Sequence, residues 1–293
     1  MKKDSKIISV SPTENKDYGV KGKKERGFRL KFSRSQLCIP YGLFIAMFVV
    51  FPLLLIVYYA FTDKNGGFSF ANFAHFFSNP TYVSNLFLSL IIGALTTFLC
   101  LLIGYPVAYI LSNMKAKKGH ILLLLFIMPM WINFVLRAMA MKEVMTLLGI
   151  FAKDDFFNFA NTIIGMVYDY LPFMVLPLYT TLIKQDKSLL EASADLGATK
   201  FETFRKVTLP LSVPAIMSGA TMVFLPSMSA YVISDTFGNG KISIIGKLIE
   251  EQFGTGANWN TGSAIAIVML IVMFVTMLLT GGFKEDNVRG TAL

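Results

Sequence analysis

The sequence predicts an all-α polytopic membrane protein with six transmembrane helices, and three observations lead to that reading. Hydrophobic residues make up 54% of the 293 positions and charged residues only 15%, with a mean hydropathy of +0.59. A soluble domain of this length needs more charge to cover its surface. The apolar residues gather into runs of about 20, the length a helix needs to cross the hydrocarbon core. Lys and Arg concentrate in alternate connections between those runs, the pattern that marks cytoplasmic loops.

Taken in order, residues 1–36 hold eleven Lys/Arg against four Asp/Glu, so the formal net charge of +9 is largely local to this tail. The segment reads as a solvated, disordered cytoplasmic tail able to touch anionic lipid. It does not read as a cleavable signal, which sets a short basic segment before an apolar stretch of about 7–15 residues. A membrane domain is expected over 37–283, with spans at Leu37–Phe61, Asn85–Leu111, Ile121–Met139, Thr162–Ile183, Val213–Ile233 and Gly262–Gly281. Each should be helical, because hydrocarbon offers backbone groups no other partner. Lys64 stands alone in the first connection; Lys115, Lys117 and Lys118 fill the second. The third connection has two basic residues, the fourth five, the fifth two, and the tail at 284–293 two. Both termini and the second and fourth connections are therefore expected in the cytoplasm. Pro52, Pro106, Pro129, Pro172, Pro177 and Pro226 fall inside spans, where they read as ordinary kinks.

The fourth connection, residues 184–212, carries the most information. Ser188 precedes Glu191 by three and Thr199 precedes Glu202 by three, so two capping boxes are expected. Gly197 lies between them, where a helix end favours a left-handed residue. The loop thus reads as helix, glycine turn, helix, ending before Pro210. Leu189, Leu190 and Leu196 on the first helix, and Phe201, Phe204 and Val207 on the second, are too few to form a core. They must pack on the bundle or on another protein.

Glu191-Ala192-Ser193, Gly197, and Val207-x-Leu209-Pro210 together resemble the EAA signature of permease subunits of binding-protein-dependent ABC importers. Ser193 stands where that family commonly has Ala, and Val207 where Ile is usual. Further segments, Gly104–Tyr109, Pro129–Asn133, Leu171–Tyr179 and Tyr231–Asp235, are similar to the spermidine/putrescine branch of the family, over roughly residues 37–280. The resemblance implies a type I importer permease fold and a coupling helix that docks on a cytoplasmic ATPase. Glu191, Ala192, Ser193, Gly197, Phe201, Leu209 and Pro210 would be its residues. It also implies partners: a second permease subunit, two ATP-binding subunits, an external solute-binding protein, and a polyamine as cargo in a bacterial plasma membrane. No cofactor is expected in this chain, since ATP would be bound by the partner ATPase; no G-x-x-x-x-G-K-[ST] segment occurs here.

A polycation crossing a low-dielectric path calls for carboxylates and aromatic faces. Charges inside spans are costly, and the spans hold only Arg137 and Asp169. Arg137 fits two readings, snorkelling to the outer rim or pairing with Asp169. Ser227, Tyr231 and Asp235 are spaced by four and would share one helix face after Pro226. Trp131, Asp169, Ser227, Tyr231 and Asp235 are therefore the path candidates, each with a packing role as the alternative. Competing classes are weaker. A secondary transporter or channel would show inverted repeats or several intramembrane charges. A membrane enzyme would show clustered His and carboxylates, whereas His75 and His120 lie far apart. Cys38 and Cys100 fall in apolar spans with no metal spacing, and no nucleic-acid signature accompanies the basic tail. Another small solute on the same scaffold is the nearest alternative cargo.

Overall fold

The structure is a computed structural model that describes residues 38–63, 66–151, 155–256 and 258–279. The tails expected at 1–36 and 284–293 lie outside the described residues. The chain divides into two compact units, Met1–Phe48 and Val49–Leu293. In the first, the described residues form α1 (Cys38–Ile45) and the start of a π turn (Ala46–Val50). The second begins with α2 (Phe51–Ala60), α3 (Ala71–Ser78), α4 (Pro80–Asn113) and α5 (Ala116–Ile127). A 3₁₀ turn (Met128–Trp131), α6 (Phe134–Leu147) and α7 (Asp155–Leu182) follow.

Next come two short helices, α8 (Lys187–Asp195) and α9 (Lys200–Thr203), and a second π turn (Phe204–Thr208). The order closes with α10 (Leu209–Ser229), α11 (Tyr231–Phe237), α12 (Ile245–Phe253) and α13 (Trp259–Leu279).

Among the described residues, Ile39–Ala60, Pro80–Asn113, Phe157–Leu182, Lys200–Ser229 and Trp259–Leu278 are each long and apolar enough to cross a membrane. The span expected at Ile121–Met139 differs. It is not one helix but a pair, Ala116–Trp131 and Phe134–Leu147, bent by 101°. With that pair taken as one crossing, all six expected spans are present. Local chemistry explains the bend. Pro129 in the first turn of the 3₁₀ segment has no N–H to continue a helix. Ile132 is then extended, and Asn133 restarts the chain as the N-cap of α6, its Oδ1 accepting from Val135 N at 2.9 Å. Lys142 of α6 donates to the carbonyl of Thr236 at 2.7 Å, fixing α6 beside the end of α11.

The long helices α4, α7 and α10 pack on one another and form the centre. Ile92, Cys100, Met166, Met174, Val175, Leu178 and Val223 are buried there. Phe87, Ile91, Phe98 and Leu102 are exposed on the other side of α4, so that helix is apolar all round, as a lipid-facing helix must be. The ends are closed by side-chain amides. Asn72 Nδ2 donates to the carbonyls of Ala60 and Thr62, and Asn260 Nδ2 to those of Tyr59 and Thr62. These bonds fasten α3 and α13 to the last carbonyls of α2 and to Thr62 just beyond it.

Gly246 sets how closely α12 approaches the end of α10, because a Cβ there would lie 2.4 Å from the carbonyl oxygen of Ser229. That atom is backbone and cannot swing aside. Gly246→Ala is expected to cost about 1–3 kcal/mol by overpacking. A lowered thermal midpoint in detergent would show it, with Gly67→Ala, where nothing lies within 4 Å, as the neutral control.

Candidate functional site

The loop between α7 and α10 is a helix, a glycine turn and a second helix, as the spacing predicts. Gly197 has φ +80°. Ala198 N donates to Ser193 O at 3.1 Å and Gly197 N to Ala194 O at 2.9 Å, the paired bonds of a Schellman stop. Thr199 and Glu202 form the expected capping box at the start of α9. The other expected box does not form. Asp186 caps α8 instead, its Oδ1 accepting from Ser188 N at 2.9 Å, so Ser188 already lies inside the helix. Glu191 is consequently released: its carboxylate is exposed, with no side-chain bond among the described residues.

The capping carboxylate of Asp186 lies below the usual carboxylate range, held there by the Ser188 amide. A depressed pKa favours the folded loop above the ordinary carboxylate range, and the contribution is lost as pH falls through the depressed value.

Ser193 and Thr203 join their hydroxyls at 2.9 Å, which ties α8 to α9 across the turn. The departure at Ser193 thus has a local consequence that Ala could not supply. Outward from this element, Leu196 is 89% and Phe201 71% exposed, and Leu189 is exposed beside them. Ala192, Ser193, Leu196, Gly197 and Val207 line a shallow groove between the two short helices. Inward, Leu209 packs on the core cluster, and Pro210 opens α10. The seven coupling candidates therefore lie on one continuous element.

The path candidates are scattered rather than gathered. Asp169 is 2% exposed in α7, and its Oδ1 takes a bond of 2.5 Å from Arg137 Nε. Arg137 also donates to the carbonyls of Pro129 (3.2 Å) and Asp169 (3.5 Å), and its guanidinium lies 5.9 Å from the Tyr168 ring centroid. The pairing reading of Arg137 holds and the snorkelling one does not, since the guanidinium is turned inward to the broken span. Asp169 Oδ2 is buried with no partner among the described residues, and the residue lines a cavity of about 360 Å³ together with Met130, Phe134, Tyr170, Phe173 and Ile233.

Ser227, Tyr231 and Asp235 do not share a helix face. Ala230, at ψ 59°, ends α10 and caps α11, so the register breaks between Ser227 and the other two. Ser227 is buried and donates to Phe224 O, while Asp235, 52% exposed, is held by Lys247 Nζ at 2.6 Å. Tyr231 begins α11, and Trp131 ends the 3₁₀ turn 83% exposed. The buried polar residues Asn158 and Asn161 of α7 were not singled out by spacing; Asn158 Oδ1 accepts from Asn239 Nδ2 at 2.8 Å.

Among the described residues, helices long and apolar enough for up to six crossings, joined by a capped helix pair with an exposed apolar face, fit a helical membrane permease. The chain belongs to the family of binding-protein-dependent transport system inner membrane components, whose model matches residues 100–285. It is 35% identical over 261 residues to the spermidine/putrescine transport system permease protein PotB of Haemophilus influenzae, covering 83% of this chain and 91% of the relative. The identity to PotB of Escherichia coli is also 35%, over 80% of this chain and 92% of the relative. Among solved structures, a bacterial importer of the acidic polysaccharide alginate matches with a TM-score of 0.68 at 17% identity, over 86% of this chain and 94% of that one. The MetNI methionine transporter matches with a TM-score of 0.52 at 19% identity, over 69% of this chain and 93% of that one. The family resemblance read from Glu191 to Pro210 is borne out, and with it the helical permease fold.

Gly197 provides a direct test of this loop. Nothing lies within 4 Å of a Cβ placed there, so any penalty comes from the backbone alone. An L-residue held in the left-handed region costs roughly 1–2 kcal/mol, and a β-branched one more. Gly197→Val is expected to abolish transport while membrane insertion persists, and Gly197→Asn to retain part of it. Uptake normalised to the amount of membrane-inserted protein measures both.

Proposed function

We propose that this chain is one of two permease subunits of an ABC importer for polyamines, with both termini and the Lys187–Thr208 segment in the cytoplasm. The observation that carries the reading is the helix–glycine–helix element with its exposed Leu196 and Phe201, set in the most basic connection of the membrane domain. An apolar face of that size on a short loop calls for a partner groove. The partner is a cytoplasmic ATP-binding subunit, two copies of which supply hydrolysis that this chain does not perform. A second permease completes the path, and an external solute-binding protein delivers cargo. The names of the PotB relatives support spermidine or putrescine as that cargo.

Of the five path candidates, Asp169 is the one whose geometry best suits a protonated amine. Its Oδ2 is buried without a partner, and the residue lines a cavity shared with Tyr170 and Phe173. A carboxylate offsets the desolvation of an ammonium group, and an aromatic face adds about 0.5–2 kcal/mol. Asp235, already neutralised by Lys247 and half in solvent, suits an outer-face role better than the path.

Removing Asp169 alone would strand a buried guanidinium at a cost of about 3–5 kcal/mol, so a single variant tests stability rather than transport. Arg137→Gln with Asp169→Asn replaces the ion pair by a neutral one and still leaves Pro129 a donor. The double variant should reach the membrane at the parental level yet lose most spermidine uptake in a strain without other polyamine importers. Parental uptake would remove Asp169 from the path and leave the pair a purely structural staple.

A further inference from the structure

Phe204 points away from the face that a partner would cover. It opens the second π turn, in which Leu209 N donates to Phe204 O, five residues back. The cause lies in the sequence. Pro210 has no N–H to give to Lys206 O, and its ring crowds that carbonyl, so an α-helical bond cannot form there. At the end of the wider turn Gln185 Nε2 donates to Thr208 O at 3.3 Å. Such single turns recur at functional sites, where they re-aim side chains.

Here the re-aimed side chain is a ring. Phe204 meets Tyr105 with centroids 5.7 Å apart and planes at 82°, and Tyr109 at 5.6 Å and 78°. Tyr105 and Tyr109 are four residues apart on α4, so the Phe204 ring touches two successive turns of that helix. Edge-to-face pairs have a preferred geometry and resist sliding. Tyr105 is itself fixed, its hydroxyl joined to Ser212 Oγ of α10 at 2.9 Å. The chain after the π turn already leads into α10, so movement of the loop reaches α10 through the backbone. No backbone connects the loop to α4 locally; Phe204 supplies a direct side-chain contact there, beside Leu190, which lines a pocket with Tyr109.

We propose that Phe204 is a positioning residue that carries displacement of the Lys187–Thr203 segment to α4, so that α4 and α10 move together when the loop is driven. The inference rests on the reading of that segment as the ATPase-coupling element. Its test uses the whole complex of this chain with its partner permease and ATPase subunits in proteoliposomes, measuring spermidine uptake and ATP hydrolysis together. Phe204→Ala should leave the ATPase bound and hydrolysing, while spermidine moved per ATP falls about tenfold, the scale expected from losing two ring contacts.

Tyr109→Leu, on α4 and away from the exposed loop face, should lower the same ratio, and Tyr109→Phe, which keeps the ring, should restore it. An unchanged ratio in both Phe204→Ala and Tyr109→Leu would overturn the inference. So would a parallel loss of ATPase binding and transport in both, which marks a merely structural role. A parent complex without spermidine uptake would instead defeat the reading of the chain as a polyamine permease.

Discussion

Hydrocarbon cannot hydrogen-bond a bare carbonyl, and this constraint accounts for where the bundle is regular and where it is not. Several of the interruptions have a side-chain donor aimed at them. Arg137 reaches Pro129 O where the third span bends, Gln185 reaches Thr208 O at the π turn, and Asn72 and Asn260 share the carbonyls beyond α2. Ser234 Oγ meets Ile242 O where α11 gives way to the next loop. The interruptions are therefore fixed features.

The Arg137 staple illustrates how one contact serves two ends. Its guanidinium satisfies the bent span and neutralises Asp169 of α7, which lets a carboxylate persist deep in the bundle. A carboxylate so held keeps one oxygen for another donor. At the opposite end, Pro210 acts by subtraction. The bond it cannot make opens the π turn, and the turn divides the loop into an outer face of Leu196 and Phe201 and an inner face of Phe204. A loop with both faces is held by the bundle while still offering an apolar surface to a partner.

The spans were legible because long apolar runs carry their own signal, and the coupling loop because Gly197, Thr199 and Glu202 act on near neighbours. The bend in the third span was not legible. Pro106, Pro172 and Pro177 sit within continuous helices, so Pro129 alone gave no warning. What distinguishes it is the Asn133 cap together with a donor, Arg137, whose partner Asp169 lies 32 residues further on. Hydropathy measures burial and is blind to direction. The supposed Ser227–Tyr231–Asp235 face failed for a similar reason, since Ala230 leaves the helical region without any side-chain signal. Asp186 displaced Ser188 as a cap because the helix began two residues earlier than its box required.

The central claim is that the segment from Lys187 to Thr208 is a cytoplasmic docking element for a separate ATPase. A photo-reactive amino acid at Phe201, the more deeply projecting ring of the second short helix, tests it most directly in membranes containing the full complex. The account predicts a covalent adduct with the ATP-binding subunit whose yield changes when nucleotide is added. The contrary result is no adduct at Phe201 while the same probe at the exposed Phe77, in the first connection and so at the opposite face of the membrane, captures the ATPase.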